Sequence, residues 1–389
     1  MSNYTEKNGF SDMKINDIHW HIMRQYPINE SLEHIKKEME YLNLEKMCIL
    51  ALEQEAEVEF DNSSNIKALY LRDNGEGRIF ALASIRHFGD ERDNAEEFLR
   101  QVKLYYDLGF DGIKFLEGKT PCHKAMHCKL DGENYAPMFK FLEEKQFPLL
   151  IHIGDYIPYP NEENLVERES IHREMLNVLE RHPNLRVTFA HVFNMSYDRE
   201  RLDKLMETYP NMSVDLALGG DFLINFSKDI KEWEKFFTKY SDRVIYGTDT
   251  YNMYFEEDDD FEITGRHTPI HKFFEWDEPF SDRYYEHCPE AKNGTVMINP
   301  AKLPRNVVKD IYYNSFIKAL ADKPRTTDKE LALKYCEELL EGYNSGKLST
   351  KALAPMPDWI SPTEQANMRR GHALALENLE VIKAYYQNK

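Results

Sequence analysis

Short apolar runs rich in β-branched residues alternate along the chain with longer segments whose apolar residues recur every third or fourth position. The first kind of pattern is typical of a buried strand and the second of an amphipathic helix. The apolar runs predict eight strands, at residues 15–22, 47–52, 79–86, 112–116, 148–153, 186–192, 212–218 and 244–248. The segments between and after them predict helices at residues 29–46, 95–108, 135–146, 164–181, 198–209, 227–240 and 304–321.

This alternation predicts an α/β fold with a parallel sheet, and eight strand–helix units predict a closed (β/α)8 TIM barrel. An open, doubly wound sheet is the alternative fold. Many sheets of that kind bind a dinucleotide through a G-x-G-x-x-G turn after the first strand, and no such turn follows the first predicted strand here. We therefore favour the barrel.

The regular pattern stops after the eighth predicted strand. Residues 251–302 are acidic and rich in aromatic residues and proline, and a connection of this length predicts an ordered insertion or a lid. Two more helical segments follow, at residues 328–342 and 361–387. We predict a barrel domain over residues 1–325, which includes the insertion, and a C-terminal helical extension over residues 326–389. The extension would pack on the barrel or lie at a subunit interface.

The composition argues against some classes of binding partner. The 389 residues include 49 Lys and Arg against 68 Asp and Glu, a net charge of −19, which repels nucleic acid and anionic membrane surfaces. No apolar run is long enough to span a membrane, and the polar first residues lack the apolar core of a secretory signal, so we expect a cytoplasmic protein. Five scattered cysteines do not form a disulfide framework and are expected to be thiols.

Two histidines lie two positions apart in the first predicted strand. His19 and His21 therefore point to the same face, which in a barrel can be the interior. A pair of neutral imidazoles suits Zn and other divalent transition metals. An H-x-H pair alone is a weak signal for a metal site.

The signal strengthens because polar side chains recur where later apolar runs end. They are Lys114, His152, His191 and Asp249, near the ends of predicted strands 4, 5, 6 and 8. The carboxyl ends of barrel strands meet at one mouth, where catalytic residues of this fold lie. The alternative is a set of unrelated core polar groups, each of which would need its own buried partner.

Together these residues resemble the amidohydrolase superfamily of metal-dependent hydrolases. The likeness is strongest to its amidohydrolase-related branch, also called amidohydrolase 2, which includes decarboxylases of aromatic and unsaturated acids, hydratases and lactonases. Further segments similar to that branch lie at residues 134–139, 148–154, 181–185 and 311–314. The resemblance covers residues 15 to about 320.

The resemblance implies a divalent metal, with one Zn per chain as the expected content and Mn or another divalent ion as alternatives. His19, His21, His152 and Asp249 would be the metal ligands. His191 would act beside the metal as a general acid/base or substrate polariser, and Asp249 would also accept a proton. Lys114 would bind substrate beside a single ion or, in a binuclear site, bridge two ions as a carbamate.

Three further residues are candidates for substrate binding. Arg86, at the end of the third predicted strand, could hold a substrate carboxylate, although a structural ion pair is the alternative. Glu117 could be an extra acid/base or a salt-bridge partner, and it lies where many relatives have a His-Pro pair. Tyr156 could donate a hydrogen bond to a ligand or could simply pack.

These features predict an enzyme that hydrolyses a small, carboxylated or cyclic organic substrate with metal-activated water. The first alternative is a lyase, either a decarboxylase or a hydratase of an unsaturated or aromatic acid, that uses the same site. The second is a non-catalytic binding protein stabilised by its metal. The expected partner is a small molecule, and the added C-terminal helices suggest a homo-oligomer by analogy.

Overall fold

Eight parallel strands form a nearly closed barrel, which confirms the predicted (β/α)8 architecture. The computed structural model describes residues 11–22, 26–55, 58–59, 63–126, 128–154, 162–217, 222–251, 265–282, 295–348 and 362–388. The barrel strands are β1 (Ile15–Ile22), β2 (Leu44–Ala51), β3 (Ile79–Ser84), β4 (Gly112–Gly118), β5 (Leu149–Ile153), β6 (Val187–Phe189), β7 (Met212–Asp215) and β8 (Val244–Ile245). Each strand pairs with its neighbour in the sequence.

The barrel closes between β1 and the chain that follows β8. The Ile18 N–H donates to the Tyr246 carbonyl at 3.1 Å, and the Asp249 N–H donates to the His19 carbonyl at 2.8 Å. Thr250–Tyr251 then pairs with β1 in parallel, with Thr250 opposite Trp20. This closure puts Asp249 next to His19, although the two residues are far apart in the sequence.

Helices form the outer layer. They are α1 (Ile28–Tyr41), α2 (Ser64–Asp73), α3 (Ala95–Leu108), α4 (Thr120–Met126), α5 (Ala136–Lys145), α6 (Glu162–Arg181), α7 (Arg199–Thr208), α8 (Phe222–Lys228), α9 (Ile230–Lys239), α10 (Thr268–Glu275), α11 (Arg305–Lys309), α12 (Ser315–Ala319), α13 (Lys329–Asn344) and α14 (Pro362–Gln387). A π-helical turn over Asp310–Asn314 joins α11 to α12. None of the helices in the described ranges is both long and apolar enough to cross a membrane.

Local sequence signals set the ends of α3. The Asn94 side chain accepts hydrogen bonds from the N–H groups of Glu96 and Glu97, which caps the first turn. Gly109 ends the helix with φ of 89°, a left-handed conformation that favours glycine. A Cβ atom at this position would also collide with the carbonyl oxygen of Thr326. The chain therefore needs glycine here for both its backbone angle and its close packing.

Four strands end two or three residues earlier than predicted, at Ser84, Phe189, Asp215 and Ile245. The prediction for residues 186–192 was wrong beyond Phe189, because the next residues turn left-handed. His191, Val192 and Phe193 have φ of 57°, 53° and 59°. A side chain of the turn ties it to the neighbouring strand β5, since Asn194 Nδ2 donates to the Ile153 carbonyl at 2.7 Å. The last strand likewise ends at Ile245 and not at residue 248.

The C-terminal helices pack on the α1–α2 side of the barrel. The Asn378 side chain of α14 accepts from the Ile28 N–H and donates to the Tyr26 carbonyl, each at 2.8 Å. Farther along the same helix, the Tyr386 hydroxyl donates to the Asp73 carboxylate at 3.2 Å. The boundary at residues 325/326 stays a prediction. Within the predicted insertion, α10 buries Phe273 and Phe274 in the main core.

We predict that Asn378→Ala lowers the free energy of unfolding by about 1–3 kcal/mol, because it removes two buried hydrogen bonds that tie α14 to the start of α1. Urea denaturation followed by circular dichroism measures the change. Glu380→Ala, at an exposed position two residues later, is the control and should leave the midpoint unchanged. Equal midpoints for the two variants would show that the two bonds contribute nothing measurable.

Candidate metal centre

Three donor atoms from distant parts of the sequence meet at the mouth of the barrel. His19 Nε2 lies 3.0 Å from His21 Nε2, and Asp249 Oδ1 lies 3.0 Å from His21 Nε2 and 3.5 Å from His19 Nε2. All three residues are buried. The predicted pairing of the two β1 histidines on one face is therefore observed, and barrel closure adds the carboxylate.

Asp215, the last residue of β7, fixes the orientation of the His19 ring. The Nδ1–H group of His19 donates to Asp215 Oδ2 at 2.8 Å, which leaves Nε2 with its lone pair toward the cluster. Asp215 Oδ1 accepts the N–H groups of His191 at 2.8 Å and Ala217 at 3.1 Å. Burial raises the pKa of Asp215, and these hydrogen bonds and the nearby Lys114 offset part of that effect.

His191 is oriented in the same way. Its Nδ1–H donates to the Ala217 carbonyl at 3.0 Å, so its Nε2 also carries the lone pair. Burial lowers the pKa of His191 and favours the neutral ring. Ligand atoms of His191, His19 and Asp249 all lie within 4.8 Å of one another. His191, which the resemblance places beside the metal, is thus part of the donor cluster.

His152 lies one step farther out. Its ring centroid is 4.6 Å from that of His191, and it does not join the compact group of His191, His19 and Asp249. The side chain is buried, and Nε2 has no hydrogen-bond partner. A buried polar atom without a partner is costly, and a bound group at this position would satisfy it.

A left-handed backbone and a contact with an arginine fix the position of Asp249. Its backbone has φ of 58°, an uncommon conformation for a residue other than glycine. Arg266, in the predicted insertion, approaches Asp249 Oδ2 at 3.1 Å through Nη1. Burial opposes ionisation of Asp249, but the hydrogen bond from His21 and the charge of Arg266 outweigh it and hold the pKa well below its usual range. The carboxylate therefore presents Oδ1 to the histidines in its charged form.

Lys114 approaches the cluster from β4. Its Nζ atom lies 3.4 Å from His19 Nε2, and it forms no salt bridge with a carboxylate of the described chain. Burial lowers its pKa to about 8, against the opposing effect of Asp215 and Asp249. The predicted placement of this lysine beside the histidines agrees with the geometry.

Two of the other predicted substrate residues form ion pairs close to the carboxyl ends of their strands. Arg86 follows the end of β3, and its Nη2 lies 3.6 Å from Glu53 Oε2. Glu117 Oε1 lies 3.1 Å from His87 Nε2, and the His87 ring packs between α3 and α5. Each of the two thus has an ion-pair partner, which is the structural alternative given for it. Tyr156 lies outside the described residues.

Three residues of the site were missed by the sequence analysis. Asp215 ends a strand, which is the signal that identified the other residues, but the predicted strand continued to residue 218. Asp17 is buried and accepts the His19 N–H at 2.9 Å and the Thr248 hydroxyl at 2.5 Å, and burial raises its pKa to about 7. Arg266 gave no signal, because its contact depends on how the insertion folds.

The donor set fits a divalent metal ion. Zn bonds of about 2.0–2.2 Å in a tetrahedral arrangement put ligand atoms roughly 3.3–3.6 Å apart, close to the separations of His19 Nε2, His21 Nε2 and Asp249 Oδ1. The His19 ring also has the carboxylate partner on Nδ1 that metal-binding histidines commonly have. His152 Nε2, which has no partner, is a further nitrogen near the cluster.

Comparison with known proteins gives a family. The model of the family described as Amidohydrolase matches residues 65–293. Similar solved structures include an uncharacterised TIM-barrel protein from Bordetella bronchiseptica (13% identity, TM-score 0.49, 80% of this chain and 99% of that chain). Others are a putative amidohydrolase from Staphylococcus aureus (13%, 0.47, 79% and 99%) and 4-oxalomesaconate hydratase from Rhodopseudomonas palustris (11%, 0.49, 86% and 100%). No curated protein matches the chain.

We predict that Asp215→Asn weakens metal binding about 10- to 100-fold, the usual effect of removing a carboxylate behind a metal-binding histidine. Competition with a chelator of known affinity measures it. Asp111→Asn is the matched control, because Asp111 is an equally buried carboxylate that precedes β4 at the other end of the barrel. Metal affinities that fall equally in the two variants would contradict the role of Asp215.

A second prediction concerns His87. Burial lowers its pKa, but the neighbouring carboxylates of Asp93 and Glu117 raise it to about 9, above the ordinary value of 6.5. The ion pair therefore stabilises the fold fully below pH 6.5, and this stabilisation is lost as the pH rises through about 9.

The test compares the wild type with His87→Gln, which keeps a polar side chain and cannot titrate. Urea denaturation at several pH values from 6.5 to 9 gives the free energies of unfolding. The difference between the two proteins should shrink as the pH rises, and circular dichroism at neutral pH controls for correct folding. A difference that is constant over this range would show that His87 is not held in its charged form.

Proposed function

Because the chain belongs to the amidohydrolase family, and is therefore an amidohydrolase-like enzyme or a related lyase, we propose that it is a hydrolase that uses one divalent metal ion. The proposed substrate is a small organic molecule that is carboxylated or cyclic, such as a lactone. The observation that carries the proposal is the close approach of His19 Nε2, His21 Nε2 and Asp249 Oδ1 at the barrel mouth.

The ion would be held by His19, His21 and Asp249, with His191 and His152 as the nearest further nitrogens. Zn is the favoured ion, because two or three imidazoles and one carboxylate are a usual ligand set for a catalytic zinc. Members of the family typically depend on a divalent metal. When bound, such an ion lowers the pKa of a water molecule to about 7 and polarises a carbonyl group.

The protein side chains would supply the proton transfers. Asp249 has a second oxygen, Oδ2, which Arg266 holds at 3.1 Å, so that its carboxylate stays charged and keeps a fixed orientation; it would be the proton acceptor. His191 presents Nε2 to the same space, because its Nδ1 is committed to the Ala217 carbonyl. Both groups are therefore oriented before a substrate arrives, which lowers the reorganisation that the reaction requires.

Lys114 supports a carboxylate on the substrate. An ammonium group buried without a salt bridge is costly, and an anionic group of a ligand would stabilise it. The same observation favours the second candidate function, a decarboxylase or hydratase of an unsaturated or aromatic acid, since those substrates are carboxylates. The two functions share the metal site and differ in the bond that breaks.

Metal analysis and a substrate panel test the proposal together. Elemental mass spectrometry of protein purified without added metal should find about one equivalent of a divalent ion per chain. A panel of lactones, esters and amides is then assayed for acid release, and a panel of unsaturated and aromatic acids for carbon dioxide release. Turnover of the first panel supports hydrolysis, and turnover of the second alone supports the lyase.

His19→Ala and Asp249→Ala should lower turnover and metal content together, each turnover by more than about 100-fold. His123→Ala is the matched control, because His123 on α4 pairs with Glu174 on α6, outside the site, and its loss should leave both quantities unchanged. A protein that binds no ion, or that retains full turnover after either substitution, would refute the proposal. Two equivalents per chain would refute the single-ion form and make Lys114 a bridging ligand.

A further inference from the structure

A second cavity opens at the end of the barrel opposite the donor cluster. It has a volume of about 160 Å³ and is lined by residues that immediately precede three strands, namely Asp111 before β4, Pro148 before β5 and Arg186 before β6. Residues that precede barrel strands lie at the amino-terminal end, whereas the donor cluster lies at the carboxyl ends. The two sites are therefore separate.

Three cations line this cavity and none of them has an acidic partner. Lys145, Arg186 and Arg325 form no salt bridge with any carboxylate of the described chain. The protein as a whole carries a net charge of −19. The cavity is thus a locally positive region on an acidic protein.

Only one nitrogen of each arginine side chain donates hydrogen bonds to the described part of the protein. Arg186 Nη2 donates to the carbonyls of Lys318 at 2.8 Å and Leu320 at 2.7 Å, and Arg325 Nη1 donates to the Phe110 carbonyl at 2.8 Å. The remaining N–H groups of both side chains bond to no described group, and none of them is buried away from solvent. Burial lowers the pKa of Arg186, so its charge is held at a cost that an anion would offset.

Asp111, the acidic residue in the lining, does not neutralise these three cations. Asp111 Oδ1 accepts the backbone N–H of Arg325 at 2.7 Å, and Oδ2 accepts the N–H of Ala81 at 2.8 Å. Its charge is balanced from the other side by Arg72, whose Nη1 lies 3.5 Å away. The carboxylate is therefore saturated, and the positive charge of the cavity is not cancelled.

Aromatic rings form the walls between the cations. The Arg325 guanidinium lies 4.2 Å from the centroid of Tyr106 and 5.5 Å from that of Phe147, and Lys145 Nζ lies 5.7 Å from Tyr106. The rings hold the charged groups in place at the rim and offer an apolar surface beside them. A ligand that matches both features has an anionic head and an apolar body.

We propose that this cavity is a binding site for a small organic anion, a carboxylate or phosphate attached to an aromatic or aliphatic group. Lys145, Arg186 and Arg325 bind the anionic head, and Tyr106, Phe147 and Leu320 contact the body. The site is independent of the proposed metal centre and does not require that function to be correct. A ligand here occupies the end of the barrel that has no part in the proposed chemistry.

Isothermal titration calorimetry with phenyl phosphate, benzoate and inorganic phosphate tests the proposal. The full-length Lys114→Gln protein, freed of metal with a chelator, is used so that the barrel mouth keeps neither of the two groups proposed to bind an anion there. We expect saturable binding of one phenyl phosphate or benzoate per chain, and the tighter of the two identifies the preferred head group. Inorganic phosphate should bind more weakly, because it lacks the apolar body.

Lys145→Gln should weaken this binding about threefold to tenfold, the loss expected for one partly exposed charge, and Arg325→Gln should weaken it further. Lys140→Gln is the matched control, since Lys140 is exposed on the same helix and does not line the cavity. Lys145 makes no hydrogen bond or salt bridge in the described chain, so its variant should fold even if the Arg325 variant does not. Absent saturation, or equal affinity in the metal-free parent protein and in its Lys145 and Arg325 variants, would overturn the proposal, and so would equal affinity for inorganic phosphate.

Discussion

The site depends on one buried carboxylate, that of Asp215. It accepts the Nδ1–H group of His19 from β1, the N–H group of His191 after β6 and the N–H group of Ala217 after β7. A carboxylate that is fully removed from water needs such donors, because an unsatisfied buried charge is strongly destabilising. The first bond orients the His19 ring, and the other two fix the backbone of His191 and of Ala217, whose carbonyl accepts the Nδ1–H of His191. The requirement for burial and the requirement for the site are thus met together.

Asp215 can do this only because the barrel is closed and its strands end at the mouth. Closure joins β1 to the chain after β8 and places Asp249 beside His19 and His21. The left-handed conformations of His191 and Asp249 then direct their side chains toward the shared space. Such conformations cost about 1–3 kcal/mol each and persist where surrounding bonds fix them, which is a common property of functional sites.

The sequence was sufficient for the fold, because eight apolar runs and the helices between them specify a barrel whose mouth collects the residues at strand ends. His19, His21, His191, Asp249 and Lys114 were predicted on that basis and do lie together. The prediction of site residues was wrong where the end of a strand was misplaced. Asp215 lay inside a strand predicted to reach residue 218, and Arg86 follows a strand that ends at Ser84. Arg266 could not be predicted, since only tertiary packing brings the insertion to Asp249.

The two ends of the barrel are separated by an apolar inner cluster that includes Ile18, Leu50, Phe80, Leu150 and Ala190. These side chains pack against one another in the interior of the barrel. This apolar cluster contacts both the second cavity and the donor cluster, because Phe80 lines the cavity and Ala190 directly precedes His191. A close-packed interior transmits small displacements. An effect of a ligand in the second cavity on the donor cluster would therefore pass through these packed side chains to the backbone that positions His191.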